Sequence, residues 1–85
     1  MNVEVQAILF PYDGSRTAAV TKHFEYLLEA AGVRCVVGNM AVSCYGEIST
    51  VLSAINSAYQ AIASADKVSV SLVIANVVPQ IGRKD

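Results

Sequence analysis

Charge is scarce in this sequence: Asp, Glu, Lys and Arg make up 15% of the 85 residues, against roughly 25% in an average globular domain. Part of the surface is therefore expected to face something other than water. The six basic and seven acidic residues leave a net charge of −1, which lacks the basic patch that phosphate backbones require and argues against a nucleic-acid partner. Tryptophan is absent, and His23 is the only histidine. With Cys35 and Cys44 as the only thiols and no CxxC pair, no zinc centre can be closed, so no metal is expected. Long apolar runs are missing too. Although 54% of residues are hydrophobic, the uninterrupted runs are a few residues long, far from the roughly 18–20 that a membrane span needs. The opening Met1–Val5 has no basic region followed by an apolar stretch, so no secretory signal is expected and the cytoplasm is the expected location. No GxGxxG, P-loop or GxSxG occurs, and the many serines have no histidine and acid arranged beside them. Neither a nucleotide-phosphate cradle nor nucleophilic catalysis is expected.

What is present is a clear alternation of periods. Val3 to Phe10 alternates apolar and polar residues as a strand does, and Pro11 ends it. Tyr12-Asp13-Gly14-Ser15 reads as a loop, with Ser15 or Thr17 as the cap of the next helix. Val20, Phe24, Leu27, Leu28 and Ala31 fall at helical spacing, and Gly32 stands where a helix-terminating glycine belongs. Val33–Val37 and Met40–Tyr45 flank Gly38-Asn39 as a hairpin with a two-residue turn. From Ile48 to Ile62 apolar residues again recur at three and four, predicting a second helix that ends near Ala65-Asp66. Val68, Val70, Leu72 and Ile74 then alternate with Ser69, Ser71, Val73 and Ala75 in a last strand, Lys67–Asn76. The order βαββαβ predicts an α+β ferredoxin-like sandwich, a four-stranded antiparallel sheet with both helices on one face. One domain is expected over residues 1–78, with a short polar tail over 79–85.

Pairing about the Gly38-Asn39 turn sorts the faces. Cys35, Val37, Met40, Val42 and Cys44 should face the helices, as should Val3, Val5, Ala7 and Leu9. The open face then carries Gln6, Ile8, Phe10, Val36, Ser43, Tyr45, Ser69, Ser71 and Val73, which is too apolar for plain water yet rich in hydrogen-bonding groups. It reads as a dimer surface, a ligand surface or both. In that register Cys35 and Cys44 are diagonal, about 7 Å apart at Cβ, so two separate buried thiols are expected. His23, Glu25 and Glu29 read as the solvated side of the first helix. Tyr12 and Tyr45 leave their strands at opposite ends of the sheet, so one ligand is not expected to meet both.

The run Ala7-Ile8-Leu9-Phe10-Pro11-Tyr12, the Gly38-Asn39-Met40 turn, Gly46-Glu47 before the second helix and the alternating final strand resemble the YkoF-type thiamine-binding family and its small single-domain relatives. The likeness spans about Val3 to Asn76. It implies a ferredoxin-like domain that associates through its sheet and binds thiamine or its hydroxymethylpyrimidine moiety without transforming it. Gln6, Ser43, Ser69 and Ser71 would then serve the aminopyrimidine, with Tyr45 beside them and the thiazolium cation on Tyr12 or Phe10. Val42, where such relatives often carry a hydroxyl, and Tyr45, where they often carry an acid, depart from the pattern.

Other proteins share this order of elements. An ACT-type sensor would bind a small molecule at a subunit interface. An acylphosphatase-like enzyme would need an arginine-bearing phosphate loop, whereas Tyr12–Arg16 offers one arginine beside an aspartate. A pure assembly protein would use the open sheet face and the uncharged outer side of the second helix. A homodimer or homotetramer is expected on either the binding or the assembly reading.

Overall fold

A computed structural model describes residues 1–38 and 41–76. Asn39 and Met40 of the expected hairpin turn and the expected tail, 79–85, lie outside the described residues. The first strand, β1 (Asn2–Pro11), buries Val3, Val5, Ala7 and Leu9 and leaves the alternate residues on the other side. A 3₁₀ turn, Gly14–Arg16, leads into helix α1 (Thr17–Ala30). The cap is neither Ser15 nor Thr17. Arg16 stands at the N-cap position of α1 and makes no side-chain cap bond. Asp13 caps the preceding 3₁₀ turn, its carboxylate accepting the Ser15 N–H at 3.0 Å and the Ser15 hydroxyl at 2.7 Å in a short Asx-type turn. The Thr17 hydroxyl instead donates to the Gly14 carbonyl.

Helix α1 ends as its glycine predicts. Gly32 adopts φ +85°, its N–H meets the Glu29 carbonyl at 2.9 Å, and the Val33 N–H meets the Leu28 carbonyl at 3.0 Å. That is the Schellman pattern, and the accompanying apolar contact comes from Leu28 and Val33, both buried. Strands β2 (Arg34–Val37) and β3 (Ala41–Glu47) follow, then helix α2 (Ile48–Ala63), slightly shorter than the periodicity predicts, and strand β4 (Val68–Ala75). Glu47 caps α2 through the Ser49 and Thr50 N–H groups.

The sheet order is β2-β3-β1-β4, with every adjacent pair antiparallel. Each helix crosses from one strand to a parallel, non-adjacent one, so both lie on one face, as a ferredoxin-like α+β fold requires. Phe24 and Leu28 of α1, Val51, Ile55 and Ile62 of α2, and Leu9, Val42 and Cys44 of the sheet fill the layer between. At about 1.5–3 kcal/mol for each large side chain removed from water, this core opposes the chain entropy of a small domain.

Two expectations are corrected. The hairpin pairs Val37 with Val42, Val36 with Ser43, Cys35 with Cys44 and Arg34 with Tyr45. The Gly38 N–H reaches the Ala41 carbonyl at 2.8 Å. The two residues between the paired ends are thus 39 and 40, one later than expected. Moving the turn by one residue moves each partner by two, which preserves the faces but changes who opposes whom. Second, Leu72 and Ile74, expected under the helices, are 42% and 47% exposed. Among the described residues β4 is an edge strand, and α2 covers only its beginning, where Val68 and Val70 pack against the core.

Candidate functional site

The open sheet face is ordered in rows by the register of three strand pairs. Arg34, Tyr45, Glu4 and Ala75 form one row, and Val36, Ser43, Gln6 and Val73 the next. Ala41, Ile8 and Ser71 follow, and Phe10 with Ser69 closes the series. Residues in one row are direct cross-strand neighbours, with Cβ atoms about 4.5–5.5 Å apart. Gln6 and Ser43 are therefore adjacent, and Tyr45 stands one row away, beside Glu4.

The rows separate the residues that the sequence nominates into two groups. At about 3.3 Å per residue, Gln6 and Phe10 lie roughly 13 Å apart along β1, and Glu4 and Phe10 roughly 20 Å apart. Gln6, Ser43 and Tyr45 belong to one half of the face, and Phe10, Ser69 and Ser71 to the other. Tyr12 lies beyond the second half, 88% exposed, its backbone N–H bonded to the Lys67 carbonyl at 2.7 Å. The residues named by the family resemblance therefore span both halves, with Gln6 and Ser43 in one, and Ser69, Ser71 and Phe10 in the other with Tyr12 beyond it. Tyr12 and Tyr45 do sit at opposite ends, because β1 and β3 run antiparallel.

Two residues outside the nominated set complete the first half. Glu4 stands between Tyr45 and Ala75, and Arg34 stands across Tyr45 on β2. Alternation places both on the open face. Only the β1–β3 and β2–β3 registers show that a carboxylate, a phenol and a guanidinium share one row. The Tyr45 hydroxyl is held above its ordinary value of 10.0, by desolvation first and by the Glu4 negative charge second, with Ser43 and Arg34 pulling the other way. At neutral pH the phenol is a proton donor beside an acceptor-only carboxylate.

The helix side of the sheet carries different chemistry. Cys35 and Cys44 are directly opposed, with Sγ atoms 4.0 Å apart and both thiols free. The expected diagonal separation is therefore wrong. Desolvation raises both thiols, and Cys44 is pushed up to about 12. They are protonated, poorly nucleophilic groups at neutral pH. His23 is exposed on α1, on the layer opposite the open face. At the far end, Arg16 holds Asp66 through two hydrogen bonds of 3.0 and 3.1 Å and lowers its carboxyl below the ordinary 3.8. This pair ties the loop after β1 to the loop before β4. A groove of ≈ 520 Å³ runs between α2 and β4, with Leu52, Ile55, Tyr59 and Leu72 among its walls, and a second of ≈ 540 Å³ lies along the serine side of α2. Of the nominated residues, only Ser69 borders either groove.

Solved structures of three other proteins share this fold. A Thermotoga maritima protein provisionally assigned to thiamine biosynthesis or salvage superposes with a TM-score of 0.79 at 16% identity, over 91% of this chain and 85% of that one. A domain of unknown function from Bacillus cereus gives 0.74 at 24% identity, over 91% and 77%. A Streptococcus pneumoniae protein gives 0.77 at 21%, over 98% and 93%. Likeness at these identities speaks to the fold alone. No family profile matches the sequence, and no curated protein matches it. Among the described residues, no helix is long and apolar enough to cross a membrane.

Proposed function

We propose that this chain binds thiamine or its hydroxymethylpyrimidine moiety, without chemical turnover, on the half of the open sheet face formed by Glu4, Gln6, Ser43 and Tyr45. The reading rests on the register that sets Gln6 against Ser43 and Glu4 against Tyr45. An aminopyrimidine presents an amino donor next to a ring-nitrogen acceptor, and a primary amide matches that pair in both directions. Ser43 offers a hydroxyl to the hydroxymethyl group. The Tyr45 ring supplies a face for stacking, and the Glu4 carboxylate offsets the positive charge of a thiazolium. Val36, Ile8 and Val73 add apolar surface around these groups.

Binding is favoured over turnover because the histidine lies on the helix layer and the thiols, Cys44 buried and Cys35 half-buried, lie on the helix side of the sheet, both away from this face. The fold likeness to the Thermotoga maritima protein supports the choice of ligand class. Calorimetric titration with thiamine and, separately, with hydroxymethylpyrimidine tests the proposal. Saturable binding of either compound is expected, weakened about tenfold or more by Gln6→Ala, which corresponds to the roughly 1.4 kcal/mol of one good polar contact. Phe10→Ala and Ser71→Ala, in the other half, are expected to change affinity less than threefold. Absence of heat with both compounds, or equal losses from both halves, would rule the proposal out.

A further inference from the structure

Cys35 and Cys44 are the only cysteines of the chain, and the β2–β3 register sets them directly across from each other on the side away from the proposed ligand groups. The register also gives the kind of pair. The Gly38 N–H donates to the Ala41 carbonyl, so 38 and 41 form a hydrogen-bonded pair, and alternation makes 36 with 43 the next one. Cys35 and Cys44 follow at a non-hydrogen-bonded position, where Cα atoms stand about 4.5 Å apart and side chains approach most closely. A disulfide takes a Cα separation of about 4.4–6.8 Å. The backbone is therefore already spaced for one. The Sγ atoms, 4.0 Å apart, touch without being bonded, and a turn about each Cα–Cβ bond brings them into range.

The two sulfurs differ in access. Cys44 is buried on the central strand β3, whereas Cys35 is half-buried on β2, which among the described residues has a neighbour on one side only. A reagent from solvent meets Cys35 first. Desolvation raises the Cys35 thiol, and the negative charges of Glu29 and Glu25 on α1 push the same way. The same charges disfavour an anionic reagent.

We propose that Cys35 and Cys44 form a dithiol site that a neutral small-molecule disulfide oxidises to a cross-strand disulfide, fastening the outer strand β2 to β3. In the first step the Cys35 thiolate attacks one sulfur of the reagent; the new S–S bond forms, the reagent's own S–S bond breaks, and the departing thiolate takes up the proton that Cys35 lost. Cys44 then attacks Sγ of Cys35 in the same way, closing the Sγ–Sγ bond and expelling the second thiolate. The protein gives up two electrons and two protons, and the reagent is reduced to two thiols. Burial slows both attacks, since each needs a thiolate. It does not prevent the bond at equilibrium. The folded hairpin already holds the sulfurs together, whereas the unfolded chain must lose entropy to bring them close, so oxidation and folding favour each other. Strand β2 has four residues and pairs with β3 alone, and it carries Arg34 opposite Tyr45 in the adjacent row. The bond would fix that row in register.

Redox equilibration tests the assignment. The full chain is equilibrated with mixtures of mercaptoethanol and hydroxyethyl disulfide in buffer and, separately, in urea, starting from both reduced and oxidised protein, with thiols counted by acid quench, alkylation and intact mass. In buffer the oxidised product is expected to be a single chain lighter by two hydrogens, with no thiol left to alkylate. The effective concentration of the thiol pair is expected to be about tenfold or more higher in buffer than in urea, and the oxidised chain to show the higher Tm. Cys44→Ala is expected to stop at a mixed disulfide on Cys35. An effective concentration no higher in buffer than in urea, a wild-type adduct that never closes, or a bond between two chains in place of one within the chain overturns the proposal. Should Cys44→Ala fail to fold, the two wild-type equilibria decide.

Discussion

The hydroxyl of Thr21 points into the core side of α1, with the residue 3% exposed and no hydrogen-bond partner among the described residues. A buried polar group left in that state costs on the order of 1–3 kcal/mol, while valine has nearly the same shape. Thr21→Val is expected to stabilise the fold by about 1 kcal/mol, read as a rise in Tm of roughly 4–8 °C for a domain of this size. An unchanged Tm would mean that the hydroxyl finds a partner in solution. Cys44 makes a pH prediction. Its folded-state value of about 12 lies above the ordinary 9.0, so the unfolded chain ionises first as pH rises. The stability this group contributes is fully present below pH 9.0 and is lost progressively between 9.0 and about 12. Urea titrations across that window should show the wild type losing more stability than Cys44→Ala, and parallel losses would refute the shift. That both thiols lie on the helix side is legible in the sequence from strand alternation, although Cys44 alone is fully buried and Cys35, on the outer strand β2, is half-buried. Their direct opposition is not, because it depends on a hairpin turn placed one residue later than the Gly-Asn signal indicates.

At the scale of elements, the entry to α2 shows how local sequence and tertiary packing act on one residue. Gly46 adopts φ +150°, and a Cβ there would lie 3.3 Å from a Val51 methyl. Glycine lets the chain leave β3 at this angle, so that Glu47 can swing over the first turn and accept the Ser49 and Thr50 N–H groups. Gly46→Ala is expected to cost about 1–3 kcal/mol, measured as a lower urea midpoint with an unchanged m value. Gly14→Ala serves as the control, since nothing lies within 4 Å of its would-be Cβ. A Gly46→Ala midpoint equal to that of the control would show that the backbone relaxes without strain. Both helices and all four strands are legible from period alone, since 3.6 and 2 are set by backbone geometry whatever the partners. The start of α1 is less so, because Asp13, Ser15 and Thr17 are all competent capping oxygens, and the 3₁₀ turn that Asp13 caps puts Arg16, which makes no side-chain cap bond, ahead of the helix.

For the whole molecule, the proposed ligand groups and the uncharged elements lie on different parts of the fold. The proposed ligand groups sit over β1 and β3, the two central strands. The shortage of charge has a physical location in this arrangement. The described charged residues lie on α1, on the loops and on the outer rows of the open face, whereas α2 and β4 have none. A chain this small buries only about 60–65% of its unfolded surface alone.

By itself the sequence determined the order of elements, the sandwich they make and the division of each strand into a core side and an open side. These follow from hydrophobic period and from the rule that each element must bury its apolar side. Only the tertiary structure decided which residues stand across from one another. Registers are fixed by hydrogen bonds between strands distant in the chain, and alternation, which repeats every two residues, is blind to a shift by two. That shift brings Cys35 to Cys44 and Arg34 to Tyr45, while the β1–β3 register brings Glu4 to Tyr45 and Gln6 to Ser43. The exposure of Leu72 and Ile74 was decided the same way, because whether a helix reaches the edge strand depends on where it packs and not on the period of the strand.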